Sequence, residues 1–242
     1  MEKNQFLNKF VLALDVTDYN EALEIVRDCH DEVELFMVGP ELFAQAGPSV
    51  LEAINAMGKK VFLDMKYLDT PSVAARAVSM AARQNVFMLT VNTLGGIDMM
   101  KACVDYLIHL SLTENMPRPK VLGVTLLPDQ DYAKLIDEIG YQLGHTSQVK
   151  HLANLAMIAG LDGVLVSPEM VQLIRQRCGS KFLIAAKGIK PFWQKEAKQN
   201  LWITPKKALH QGADYIIMDA TLLDLSNLLD NLRITYEELA FI

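Results

Sequence analysis

The chain is poor in cysteine, carries no excess of positive charge and has no long apolar run. Its three cysteines, Cys29, Cys103 and Cys178, are far apart and odd in number. That argues against a disulfide framework and a cysteine metal site, and fits reduced thiols in a cytoplasmic protein. The five histidines, His30, His109, His145, His151 and His210, make no ligand spacing, so no metal is expected. Lys and Arg number 23 against 29 Asp and Glu, a net charge of -6 with no basic run. A nucleic-acid partner is disfavoured on those electrostatic grounds. No apolar stretch reaches the roughly 18 residues of a membrane helix, and the polar residues 1–9 show no signal-peptide core. A membrane partner is therefore not expected. No Gly-rich dinucleotide turn follows the first apolar run, which weakens the case for an open, doubly wound nucleotide-binding sheet.

What the chain does have is a regular alternation of short apolar runs and amphipathic segments. Over 242 residues it is 51% hydrophobic and 21% charged, the make-up of a globular protein with a substantial core. The runs predict strands at 10–15, 33–38, 61–65, 87–92, 121–127, 163–167, 182–186 and 215–218. Ala22, Ile25, Val26 and Cys29 fall at i, i+3, i+4 and i+7, as do Ala74, Ala77, Val78 and Ala81. Pro71, Pro168 and Pro205 stand where helices would begin. Eight strand–helix units predict an α/β fold, a single (β/α)8 TIM barrel over residues 1–242. The continuous apolar character of the strands suits burial on both faces. Chemistry in such barrels sits at the C-terminal strand ends. Those ends carry Asp15, Met37, Asp64 with Lys66, Asn92, Thr125, Ser167, Ala186 to Gly188, and Asp219-Ala220.

The stretch Asp64-Met65-Lys66-Tyr67-Leu68-Asp69, followed by Thr70-Pro71, is the richest in chemistry. Strand alternation predicts that Asp64 and Lys66 project together, with Asp69 on the turn beyond. Carboxylates beside a lysine favour its charged form. Such a lysine is a proton donor rather than a nucleophile, in a field that repels an incoming anion.

These residues resemble the orotidine 5'-monophosphate decarboxylase family, whose signature is Asp-x-Lys-x-x-Asp-Ile-Pro. The resemblance runs nearly end to end. It includes Ala13-Leu14-Asp15, Val38-Gly39-Pro40-Glu41-Leu42-Phe43, Gly95-Gly96 with Met99-Met100, and Gly123-Val124-Thr125. It continues through Ser167 with Glu169, Gly188-Ile189-Lys190-Pro191, Gln199 and Thr204-Pro205. The resemblance implies a cofactor-free carboxy-lyase of pyrimidine biosynthesis, acting on a nucleotide as a homodimer. Lys66 would protonate the carbanion left by decarboxylation, and Asp64 would face the departing carboxylate. Asp69 would enter the partner subunit's site. Asp15 would hold a ribose hydroxyl, and Ser167 would read the pyrimidine edge. Thr125, Gly188, Lys190 and Gln199 would complete the substrate contacts.

Departures from the family pattern gather at the same site. Met37 stands for a lysine before Val-Gly, Asn92 for a histidine, and Asp219-Ala220 for the Gly-Arg that grips phosphate. Ser72-Val73, Pro128-Asp129 and Ala186-Lys187-Gly188 replace other polar or phosphate-loop residues. Without the first lysine, the array keeps one positive and two negative charges. Asp219 adds repulsion where a phosphate would sit, and Lys187, Lys190 or Gln199 would compensate only in part. Turnover is therefore expected to be impaired or lost. Sister families share the signature but hold magnesium with a glutamate at position 37; a methionine there weakens that reading. The same departures would also suit a non-catalytic dimeric binding or regulatory paralogue, or a lyase for a different, non-phosphorylated substrate. The ordinary roles would be core packing for Met37, a helix cap for Asp219, and loop anchoring for Phe192, Trp193 and Trp202.

Overall fold

The computed structural model describes residues 8–126, 134, 138, 140, 143–191, 203–220 and 227–240. Eight strands form a closed barrel in chain order. They are β1 (Phe10–Ala13), β2 (Leu35–Val38), β3 (Lys60–Tyr67), β4 (Met88–Asn92), β5 (Lys120–Val124), β6 (Gly163–Val166), β7 (Leu183–Lys187) and β8 (Tyr215–Asp219). Neighbours pair in parallel, and β8 closes on β1 through Val11–Ile217 and Ala13–Asp219. Helices cover the outside: α1 (Tyr19–Asp28), α2 (Pro40–Ala46), α3 (Ser49–Ala56), α4 (Pro71–Arg83) and α5 (Gly96–Glu114), then α6 (His145–Ile158), α7 (Val171–Cys178), α8 (Pro205–His210) and α9 (Leu228–Ala240). The expected TIM barrel is the observed fold.

The strand period of two sorts the apolar residues into two cores. Val11, Ala13, Leu35, Met37, Phe62, Met88, Leu122, Val124, Leu165, Ala185 and Ile217 point inward and fill the barrel. Phe10, Leu12, Phe36, Val38, Leu63 and Leu89 point outward against the helices. Ala22, Ile25, Val26 and Cys29 are all buried, as their spacing predicts. Asp18 caps α1 by accepting from the backbone N–H of Asn20 at 2.8 Å and of Glu21 at 2.9 Å. Pro71 and Pro205 open α4 and α8, and Pro168 opens a single 3-10 turn.

Strand ends differ from the predicted ones in ways that matter. β1 stops at Ala13, so Asp15 lies beyond the strand. β5 ends at Val124, and Leu127 lies outside the described residues. β3 runs on to Tyr67, because after a register irregularity Tyr67 pairs again with Val91 of β4. β7 includes Lys187, which pairs with Ile217. At the opposite end, the floor of the barrel is closed by Phe87. The ammonium groups of Lys60 and Lys120 lie 5.2 and 4.7 Å from its ring centroid. Lys120 also donates to the Tyr215 hydroxyl at 2.8 Å. Among the described residues, no helix is long and apolar enough to cross a membrane.

Candidate active site

The site is built on the end of β3. Asp64 follows Phe62 on the inward phase and is 1% exposed. Each of its oxygens accepts a hydrogen bond: Oδ1 from the Thr90 hydroxyl at 2.8 Å, Oδ2 from Lys66 Nζ at 2.7 Å. Thr90 follows Met88 inward on β4 and is fully buried. Its hydroxyl oxygen also accepts from the backbone N–H of Lys66 at 2.9 Å. One hydroxyl thus fixes both the carboxylate and the backbone that carries its partner.

Lys66 reaches Asp64 by an unusual backbone. Its φ is +50°, a left-handed conformation that L side chains other than Asn and Asp seldom adopt. It falls within the irregular register between Leu63 and Tyr67. An irregularity of this kind re-aims a side chain that simple alternation would place. The predicted Asp64–Lys66 contact therefore exists, but through an irregular stretch of β3 rather than a flat strand. The Lys66 side chain keeps 30% exposure, so its ammonium faces Asp64 and solvent together. Beside it, burial pushes the Tyr67 phenol above its ordinary range.

A cavity of about 290 Å³ opens here, and Asp15, Met37, Glu41, Asp64, Lys66 and Lys187 are among its walls. Met37 closes the bottom and is 1% exposed within the barrel-interior cluster. Lys187 arrives from β7, two residues beyond the inward-facing Ala185. Two larger cavities lie elsewhere: about 470 Å³ between α6 and α7, and about 430 Å³ at the barrel floor. Neither lies at the strand ends where barrel chemistry occurs, so the smaller cavity is the candidate site.

Of the predicted residues, the cavity gathers Asp15, Asp64 and Lys66. Asp69 is exposed outside its wall and accepts from the backbone N–H of Thr70 at 2.6 Å. Thr125 lies on the phase opposite to Val124, and its hydroxyl donates to the Leu165 carbonyl at 3.1 Å. Ser167 is fully buried and donates to Glu169 Oε1 at 2.5 Å. Gly188 is exposed with φ +93°, a conformation natural to glycine, and Lys190 is half-buried just after it. Asn92 accepts from the backbone N–H of Leu94 at 3.0 Å, capping the short turn after β4. Asp219 is half-buried at the end of β8 and Ala220 is fully buried. Gln199 lies outside the described residues, as do Pro128, Asp129, Phe192, Trp193 and Trp202.

Thr90 does not stand out in the sequence. A hydroxyl inside the apolar run 86–91 is the available signal, since buried polar groups need partners. Among the described residues, no group of three His, Cys, Asp or Glu side chains could hold a metal ion. Met37 offers only a thioether, a poor ligand for a hard cation. The buried thiols are not nucleophiles in waiting: burial pushes Cys29 up to about 12 and Cys103 up to about 11.

Comparison with known proteins places this geometry in a lineage. Residues 8–221 match the model of the Orotidine 5'-phosphate decarboxylase / HUMPS family. The chain is 36% identical over 220 residues to an orotidine 5'-phosphate decarboxylase of Carboxydothermus hydrogenoformans, covering 90% of each protein. It is 35% identical over 224 residues to that of Syntrophomonas wolfei, covering 92% of this chain and 94% of the relative. Among solved structures, an orotidine 5'-phosphate decarboxylase from Lactobacillus acidophilus superposes with a TM-score of 0.82 at 29% identity, covering 96% of this chain and 98% of that one.

Proposed function

This chain belongs to the Orotidine 5'-phosphate decarboxylase / HUMPS family, and from that premise we propose that it binds a pyrimidine nucleotide at its barrel mouth but decarboxylates orotidine 5'-monophosphate weakly or not at all. In the family reaction the C–C bond to the ring carboxylate breaks and carbon dioxide leaves. The electron pair stays on the ring carbon, and a lysine delivers the proton there. Lys66 is the donor in this reading, with Asp64 facing the departing carboxylate. Asp15, beyond the end of β1, holds a ribose hydroxyl. Ser167 reads the pyrimidine edge once a ligand draws its hydroxyl from Glu169. Gly188 and Lys190 follow β7 as further substrate contacts, and Gln199 keeps the role that the resemblance implies; Thr125, whose hydroxyl donates to the Leu165 carbonyl away from the cavity, is left out of this reading.

The observation that carries the proposal is the pairing of an intact Asp64–Lys66–Thr90 unit with a buried Met37 in the same cavity. The proton donor is present; the ammonium that should stand beside it on β2 is not. A lysine–carboxylate contact at about 4 Å contributes roughly 4 kcal/mol at an effective dielectric near 20. Loss of that much transition-state stabilisation slows a reaction by roughly a thousandfold. Asp219-Ala220, where the family pattern has Gly-Arg, removes a bidentate phosphate grip besides.

Two features support a homodimer as the working unit. Asp69 lies outside the wall of its own cavity, and Leu68 beside it is 54% exposed. Leu94 is 47% exposed on the adjoining loop, where a Cβ added at Gly95 would lie 3.3 Å from Leu68 Cδ1. An apolar edge around a displaced carboxylate is what a shared site needs. The same edge would serve a second reading, a dimeric binding protein without turnover.

A turnover assay on orotidine 5'-monophosphate tests the proposal, comparing wild type with Met37→Lys/Asp219→Gly/Ala220→Arg. Little or no wild-type carbon dioxide release, raised in the triple variant, is the expected result. Wild-type turnover equal to that of the Carboxydothermus hydrogenoformans relative would refute the impairment. A folded triple variant that stays inactive would favour the binding protein.

A further inference from the structure

Within the cavity, negative charge comes from Asp15, Glu41 and Asp64, and positive charge from Lys66 and Lys187. Lys66 is committed: its ammonium lies 2.7 Å from Asp64 Oδ2. An anion approaching Lys66 must compete with a carboxylate already in place, and it meets Asp64 at close range. Met37 offers nothing to an anion. Lys187 differs from Lys66 in that it forms no ion pair among the described residues. It extends β7 on the inward phase set by Ala185 and ends at the same cavity as Lys66, which comes from β3 on the opposite side of the barrel.

We propose that Lys187 is the anion-binding residue of this site: the second ammonium has moved from β2, where Met37 now stands, to the end of β7. From there it receives an anionic group of the ligand across the mouth from the Asp64–Lys66 pair. This deepens the nucleotide reading above and rests on it. The ligand class is a pyrimidine nucleoside bearing an acidic group, and the acidic group is either a 5'-phosphate or a ring carboxylate. Both are oxyanions that a flexible ammonium holds as a point charge. The relocation also explains how a site that lost a lysine on β2 keeps a charge balance able to admit an anion. Without Lys187, the walls would carry three carboxylates against one ammonium that is already paired.

The test is calorimetric titration of wild type, Lys187→Met and Lys187→Arg with three probes. Uridine 5'-monophosphate carries only the phosphate, orotidine only the carboxylate, and uridine neither. Wild type should bind at least one of the anionic probes more tightly than uridine. Lys187→Met should lose about tenfold or more in affinity for that probe, the scale of a charge-assisted contact, while uridine binding stays unchanged. Lys187→Arg, which keeps the charge, should retain most of the affinity. A loss confined to uridine 5'-monophosphate assigns the phosphate, and one confined to orotidine assigns the carboxylate; either supports the proposal. Unchanged affinity for both anions in Lys187→Met overturns it and leaves the nucleotide site standing. An equal loss for uridine also overturns it, since the damage would then be to the pocket at large. Should wild type bind none of the probes, the nucleotide reading and this inference fall together. Lys187→Gln, read in the same way, substitutes for Lys187→Met if circular dichroism shows that variant unfolded.

Discussion

Replacing Thr90 by valine would keep the shape of a fully buried side chain and remove only its hydroxyl. Asp64 Oδ1 would then lose its donor at a position that water scarcely reaches, and the Lys66 N–H would lose its acceptor. Leaving buried polar groups unsatisfied costs about 1–3 kcal/mol. Thr90→Val should therefore lower the stability read from urea unfolding by that much, whereas Thr90→Ser, which keeps the hydroxyl, should lower it far less. Equal stability for valine and wild type would show that the hydroxyl holds nothing. Thr90 also marks the limit of sequence reasoning at this scale. Asp64 and Lys66 are legible because both are charged and close in sequence. Thr90 is 26 residues from Asp64, and only the lateral pairing of β3 with β4 brings it alongside. Lys187 is legible as a charge ending an apolar run, but its direction depends on which phase of β7 faces inward.

The strands themselves show how tightly the elements fit. β6 and β7 approach so closely at Gly163 that an added Cβ would meet the Leu183 backbone carbonyl, well inside van der Waals contact. The obstacle is backbone, which cannot swing aside as a side chain end can. Gly163→Ala should destabilise by about 1–3 kcal/mol, the usual range for overpacking, read as a fall in the thermal midpoint. No change would mean that β6 and β7 can part without cost. Apolar runs announce all eight strands, because both strand faces are buried and need apolar side chains. Their ends are less legible. The apolar run of β3 predicts a stop at Met65, yet pairing with Val91 carries the strand to Tyr67, and no local propensity reports a partner across the sheet. Helix starts are clearer, since proline and Asp18 act within one turn of where they stand.

As a whole molecule, the barrel is closed and its eight strands leave no sheet edge for another chain to extend. The proposed dimer would therefore have to use side chains, and Leu68 and Leu94 at the mouth are exposed apolar residues near Asp69. Sedimentation should show a dimer for wild type and a monomer for Leu68→Glu/Leu94→Glu with unchanged helical signal. A monomeric wild type would refute the shared site. The sequence could not disclose this surface, because exposure is a property of the assembled barrel. Met37 has its own consequence at this scale. It is at once a wall of the cavity and a member of the barrel's inner packing. Once a thioether fills that place, a single return to lysine would bury an ammonium among Phe62, Met88 and Ala13 while Lys66 already holds Asp64. Asp15 and Glu41 line the same cavity, but unless one of them turned to the new ammonium its burial would be expensive. On the proposed reading, Met37 would act as a ratchet: a lysine at 37 alone would be costly, and rebuilding the family's charge array would need changes at Asp219 and Ala220 as well. If turnover is as weak as proposed, further change at this mouth would tune what it binds more readily than it would restore the reaction.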